Sequence, residues 1–193
     1  MRIFGDLVSG NCLKVKWTCD HLGLPYEWVD VDIMQGESRT PAFLKNNPFG
    51  QVPLVELDDG RHLAQSNAII LYLATNTALL PDDPFDRAKV MEWLFWEQYS
   101  HEPYVAVCRF QMKYLGKNRD QLDPDKVERG SKALETLDDS LQGCAFLIAD
   151  TLSVADIALV AYSRVADEGG FNLAPYPNLR TWITRVETAV GIT

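Results

Sequence analysis

The stretch Pro53-Leu54-Val55-Glu56-Leu57-Asp58-Asp59-Gly60-Arg61-His62-Leu63-Ala64-Gln65-Ser66 sets a short polar turn ending in glycine between two apolar runs. That pattern predicts a β-hairpin of two antiparallel strands. Ser66 then stands as a helix cap before Ala68-Ile69-Ile70-Leu71-Tyr72-Leu73-Ala74, whose unbroken hydrophobicity predicts a helix buried against the sheet. Upstream, Thr40-Pro41 opens a brief helix to about Asn46, with proline at the first helical position, and Pro48 closes it. Val29, Val31 and Ile33 alternate with Asp30 and Asp32 until Gly36, the period-two pattern of a strand with one wet face. Leu13, Trp17 and Leu22 mark an amphipathic helix over 11–22, closed by Gly23, and Ile3-Phe4-Gly5 reads as a short buried strand. The first two strands are joined through a helix, so they are expected to be parallel with a right-handed crossover.

The resulting order, βαβ, α, ββα, matches the thioredoxin fold. Residues 77–84, where Pro81 and Pro84 bracket Asp82-Asp83, have the composition of a connector. Beyond them the patterns are helical. Residues 85–114 are rich in aromatic side chains and carry Pro103 in their interior, which predicts a bend near Glu102. Residues 125–141 read as an amphipathic surface helix and 178–190 as another, with Leu179, Trp182, Ile183 and Val186 on one stripe. The helix from Ser153 to about Val165 is apolar nearly all round and opens on Ser153-Val154-Ala155-Asp156, a capping box with Asp in place of Glu. The expected fold class is thus an α/β N-terminal thioredoxin-like domain (1–76), a linker (77–84) and an all-α C-terminal helical bundle (85–193).

Composition narrows the function. The 193-residue chain carries a formal charge of −9, with 6 basic against 9 acidic residues through Asn76 and 12 against 18 after it. Neither part offers a basic nucleic-acid surface. No apolar run approaches the roughly 20 residues that cross a bilayer. Cys12, Cys19, Cys108 and Cys144 have no short paired spacing, and the chain opens on Arg2-Ile3-Phe4 without a charged-then-apolar leader. A cytoplasmic protein without nucleic-acid or membrane partners is the expectation.

Three segments could carry chemistry. Ser9-Gly10-Asn11-Cys12 lies between the first strand and the first helix, where free backbone N–H groups favour an anion and a Ser hydroxyl or Asn amide can donate to a thiolate. Moving a thiol from a pKa of about 8.5 to about 7 takes roughly 2 kcal/mol, within the ~1.5–3 kcal/mol of one charge-assisted hydrogen bond. Asn47-Pro48-Phe49-Gly50-Gln51-Val52-Pro53 leads into a strand, where a cis proline would turn backbone groups outward to pair with an extended peptide. Gln65-Ser66-Asn67 starts the apolar helix and can hold a carboxylate through Ser66. Taken singly, each segment also fits a cap or a turn; together, in one such unit, they describe one peptide groove.

With these motifs, and with Ser153-Val154-Ala155-Asp156-Ile157-Ala158, the chain resembles the glutathione transferase family over almost its whole length. The resemblance implies a cytoplasmic homodimer that uses glutathione as cosubstrate, needs no metal, and adds its thiolate to a small hydrophobic electrophile. It places Ser9 or Asn11 at the thiolate as catalytic residues. Gln51, Val52 and Pro53 would take the cysteinyl part, Gln65 and Ser66 the γ-glutamyl end, and Arg39 or Lys45 the glycine carboxylate. Cys12 matches the second position of a thioredoxin-like C-x-x-C, and also suits a buried packing thiol. Asp156 matches the family's helix-capping aspartate. Tyr99, His101, Tyr104, Arg109 and Phe110 are the expected wall for the second substrate, although any one aromatic there also suits a bundle core. The alternatives are a glutathione-dependent disulfide or peroxide reductase, and a non-catalytic binding or regulatory module on the same fold.

Overall fold

The computed structural model describes residues 1–148 and 150–192, so Ala149 and Thr193 of the expected helical segment lie outside the described residues. The chain divides into two compact units, Met1–Thr75 and Asn76–Thr193.

The first unit runs β1 (Arg2–Gly5), α1 (Gly10–Leu22), β2 (Glu27–Asp30), a 3-10 turn (Glu37–Arg39), α2 (Pro41–Asn46), β3 (Leu54–Glu56), β4 (His62–Ala64) and α3 (Ser66–Leu73). Its sheet has the order β2-β1-β3-β4. β1 pairs parallel to β2 with Ile3 opposite Trp28, and antiparallel to β3 with Ile3 opposite Val55. β3 and β4 form the hairpin, Val55 opposite Leu63. Ile3, Val15, Leu54, Val55, Ile69 and Ile70 are buried at its core.

Two local details differ from the sequence pattern. The alternation through Ile33 predicts a longer β2, yet the strand ends at Asp30, because Asp32 Oδ1 accepts from the N–H groups of Met34 and Gln35 and folds the chain into a turn. On α1 the buried set is Gly10, Cys12, Lys14, Val15, Trp17, Thr18 and Cys19, while Leu13 and Leu22 are only partly covered. This helix is enclosed on most sides, so its stripe is broader than an amphipathic reading predicts.

The second unit comprises α4 (Pro84–Trp96), a π-helical turn (Glu97–His101), α5 (Glu102–Lys113), a 3-10 turn (Arg119–Gln121), α6 (Pro124–Ser140), α7 (Val154–Ser163), a 3-10 turn (Ala166–Gly169) and α8 (Pro177–Val190). Pro103 explains the interruption before α5: it has no N–H to give to the carbonyl four residues back, and its ring crowds that carbonyl, so the preceding turn widens. Every residue of α7 is buried. Leu79 and Leu80 of the expected connector are buried within this unit, the Leu79 carbonyl accepting from Val154 N–H at 3.0 Å.

Glu168 supplies a pH-dependent element of stability in this unit. It accepts from Arg109 Nε at 2.7 Å and Lys113 Nζ at 3.0 Å. Burial pushes its carboxyl up, but the two hydrogen bonds and charges together hold it below the usual carboxylate range. A carboxyl lowered on folding stabilises above its unfolded pKa, about 4.3, and that contribution is lost as pH falls through the lower folded value. The stability difference between wild type and Glu168→Gln is therefore expected to be full at neutral pH and to shrink in acid, as read by urea unfolding at several pH values.

Candidate active site

The loop after β1 holds the first segment. Asp6 turns the chain by accepting Val8 N–H on its Oδ1 at 2.7 Å. Ser9 takes the N-cap position of α1 in extended conformation, and its carbonyl accepts from Cys12 and Leu13 N–H. Its hydroxyl makes no cap bond; it hydrogen-bonds instead with the Cys12 thiol. Asp6 N–H points at Cys12 Sγ from 3.4 Å. Burial pushes the Cys12 thiol up to about 11, against the pull of the Asp6 N–H and the Ser9 hydroxyl. Fully buried and with its thiol so raised, Cys12 has the surroundings of a packing residue. Cys12, Cys19 and Cys108 are buried and Cys144 is exposed. A thiol-labelling time course on native protein is expected to show Cys144 reacting fast and the other three only on denaturation.

Asn11 lies one helical turn from Lys14 and reaches across to α3. Ser66 Oγ donates to Asn11 Oδ1 at 3.0 Å. The sequence places Ser66 as the cap of α3; the structure gives that position to Gln65, whose φ of 71° is rare for a residue other than glycine. Ser66 is the first helical residue, its hydroxyl turned to α1. Near it, Lys14 Nζ donates to Asn67 Oδ1 at 3.4 Å.

The second segment, residues 47–53, is organised by its first residue. Asn47, buried, donates from Nδ2 to the Gln51 carbonyl at 2.7 Å and accepts Phe49 N–H at 3.2 Å. An Asn followed by Pro-Phe-Gly is the available signal, since an Asn side chain bonding two residues on is a common turn device. Gly50 has φ 61°, and a Cβ there would meet Arg39 at 2.8 Å. Arg39 Nη1 donates to the Phe49 carbonyl at 3.2 Å, so it braces the loop. Lys45 is exposed at the end of α2. The Val52-Pro53 peptide is cis. Among the described residues, neither the N–H nor the carbonyl of Val52 has a backbone partner. An extended ligand can therefore pair with it as an added strand.

In the helical unit the five expected wall residues differ sharply. Tyr99 is 83% exposed and Phe110 is stacked on Tyr114 with its own ring partly open. Tyr104 accepts from Arg129 Nη1 at 3.2 Å. His101 is fully buried, its Nε2 3.0 Å from Ser163 Oγ. Arg109 is buried against Glu168. Among the described residues no group of three His, Cys, Asp or Glu side chains could hold a metal ion.

Comparison with known proteins agrees with this geometry. Residues 8–76 match the glutathione S-transferase N-terminal domain and residues 90–189 the glutathione S-transferase C-terminal domain. A probable glutathione S-transferase of Oryza sativa subsp. japonica is 30% identical, covering 95% of this chain and 90% of the relative. The crystal structure of a glutathione S-transferase from Pseudomonas fluorescens superposes with a TM-score of 0.94 at 46% identity, over 97% of this chain and 94% of that one. A maleylacetoacetate isomerase from Methylobacterium extorquens, solved with bound malonate and glutathione, matches with a TM-score of 0.80 at 28% identity, over 99% of this chain and 94% of that one. With both of its segments matched in order along nearly its full length, the chain belongs to the glutathione S-transferase family.

Proposed function

We propose that the groove of the first unit binds glutathione and transfers its thiolate to a small hydrophobic electrophile. The observation that carries this reading is the pairing of an unpartnered Val52 backbone, beside Gln51 and Pro53, with the start of α3 at Gln65 and Ser66. The N–H and carbonyl of Val52 suit the cysteinyl residue. The first N–H groups of α3 suit the γ-glutamyl carboxylate, because they lack helical partners and lie at the positive end of the helix dipole. Arg39 or Lys45 serves the glycine carboxylate.

Ser9 and Asn11 flank the sulfur at the start of α1. Lowering the thiol pKa there leaves a thiolate at neutral pH, and its proton passes to solvent. The sulfur then attacks the electrophilic carbon; a C–S bond forms as the leaving group departs with its electron pair. The nucleophile belongs to the cosubstrate, which accords with a Cys12 thiol held neutral and out of solvent. Tyr99 and Phe110 present exposed ring surface suited to an apolar electrophile, with Tyr104, while His101 and Arg109 are buried inside the helical unit. A cytoplasmic homodimer completes the proposal. Four cysteines without a disulfide fit a reducing compartment, and sedimentation checks the dimer.

The test is retention on immobilised glutathione followed by aryl-halide conjugation and mixed-disulfide reduction assayed side by side. Retention with conjugation the faster activity is expected. Reduction alone would move the chain to the reductase reading, and no retention would leave a binding module on this fold.

A further inference from the structure

Two turns of similar build follow the paired parallel strands of the first unit. β1 stops at Gly5 and β2 at Asp30, which face each other in register. Beyond Gly5, Asp6 accepts Val8 N–H on its Oδ1 at 2.7 Å and Ser9 N–H on its carbonyl at 3.1 Å, which sets Leu7 at the second position of the turn. Beyond Asp30, Asp32 accepts Met34 and Gln35 N–H on its Oδ1 at 2.9 and 3.0 Å. The Ile33 carbonyl there accepts Gly36 N–H at 3.3 Å, which sets Met34 at the second position. Because the strands are parallel, both turns leave the same end of the sheet. That is the end at which α1 begins after Ser9.

Each turn holds a large apolar side chain in water: Leu7 is 51% and Met34 50% exposed. A single exposed leucine needs no explanation. Turn positions, however, favour Gly, Pro, Asn, Asp and Ser, residues that serve the turn itself. Here an aspartate at the head of each turn supplies that service, so neither apolar side chain is needed for closure. Two of them at the sheet end that bears Ser9 make an apolar lip beside the position assigned to the reacting sulfur. Both are aliphatic and flexible, and methionine in particular adapts to irregular shapes. An alkyl chain fits them better than a rigid planar ring. The carboxylates of Asp6, Asp32 and Glu37 in the same turns disfavour an anionic chain end.

Resting on the reading that this groove activates glutathione, we propose that Leu7 and Met34 are specificity-determining residues: they receive an uncharged aliphatic chain carried by the electrophile. The first unit then contributes to the choice of the second substrate as well as to the binding of glutathione. Its contribution is apolar area removed from water, so it grows with chain length.

The test measures enzyme-dependent conjugation of glutathione with straight-chain α,β-unsaturated aldehydes from crotonaldehyde to nonenal. In this addition the thiolate forms a C–S bond at the β-carbon, the alkene π pair moves onto the carbonyl as an enolate, and solvent protonates the α-carbon. Only the chain varies along the series. In wild type kcat/KM is expected to rise about two- to fourfold for each added methylene. Leu7→Asn and Met34→Gln, near-isosteric and polar, are each expected to cut that increment about in half, and the double variant to abolish it. Tyr72→Ser removes a comparably exposed side chain in the last turn of α3, the end away from Ser66, and is expected to keep the wild-type increment. A flat wild-type series, an increment retained in the double variant, or a loss equal at every chain length overturns the proposal. A wild-type protein that conjugates neither these aldehydes nor an aryl halide overturns the proposed function itself, and this inference falls with it.

Discussion

Replacing Asp156 with alanine is expected to lower the unfolding free energy by about 3–5 kcal/mol, a large fraction of the whole stability of a typical domain. The carboxylate is fully buried at the start of α7. Its Oδ1 accepts from Trp182 Nε1 at 2.9 Å and Leu147 N–H at 3.0 Å. Its Oδ2 accepts from Ser153 N–H at 2.9 Å and Ser153 Oγ at 3.0 Å. Burial raises the carboxyl's pKa, and the hydrogen bonds from Trp182, Leu147 and Ser153 pull it back down. Alanine would leave these donors buried without an acceptor, at roughly 1–3 kcal/mol for each that finds no water. For a chain of this size the melting temperature is expected to fall on the order of 10 °C. The substitution Asp156→Asn keeps one oxygen for Trp182 and Leu147 but sets an NH2 against the Ser153 N–H, so an intermediate loss is expected. Equal stability of Asp156→Ala and wild type by chemical denaturation would contradict the hub assigned to this residue.

The second large effect is on chemistry. Asn11→Ala is expected to lower kcat/KM for conjugation about 10- to 100-fold, the equivalent of one charge-assisted hydrogen bond to the thiolate. The loss should fall mainly on kcat at neutral pH and diminish in alkali, where the thiol ionises unaided. Ser9→Ala is expected to cost less, because the Ser9 hydroxyl is engaged with the buried Cys12 thiol. A larger loss for Ser9→Ala than for Asn11→Ala in the same pH series would reverse the two roles.

Much of this architecture is legible in the sequence because the decisive signals are local. Asp58-Asp59-Gly60 marks the hairpin turn, Ser153 and Asp156 close a capping box as their spacing requires, and Gly23 ends α1 in left-handed conformation. Part of what the sequence misplaces depends on partners far along the chain, and part on local turns that periodicity does not register. Ser66 looks like a cap, but its hydroxyl donates to the amide oxygen of Asn11, 55 residues earlier. Lys14 of α1, on which the sequence pattern is silent, is buried and donates to Asn67 of α3. Periodicity carries Val31 and Ile33 into β2, whereas Asp32 bends the backbone with its own side chain. Pro103 announces an interruption, but not that a π-helical turn absorbs it and carries His101 into the core. The candidate site divides likewise: Val52-Pro53 and Gln65-Ser66 can be read from turn and helix-start chemistry, while the link between α1 and α3 exists only in three dimensions.

Calorimetric titration of the purified protein with glutathione and, separately, with the dipeptide cysteinylglycine tests the groove most directly. The dipeptide keeps the sulfur and the glycine carboxylate and lacks the γ-glutamyl end assigned to Gln65 and Ser66. Saturable binding of glutathione, with the dipeptide weaker by about tenfold or more, is the expected result. Equal binding of the two, or no saturable binding of glutathione, would contradict it.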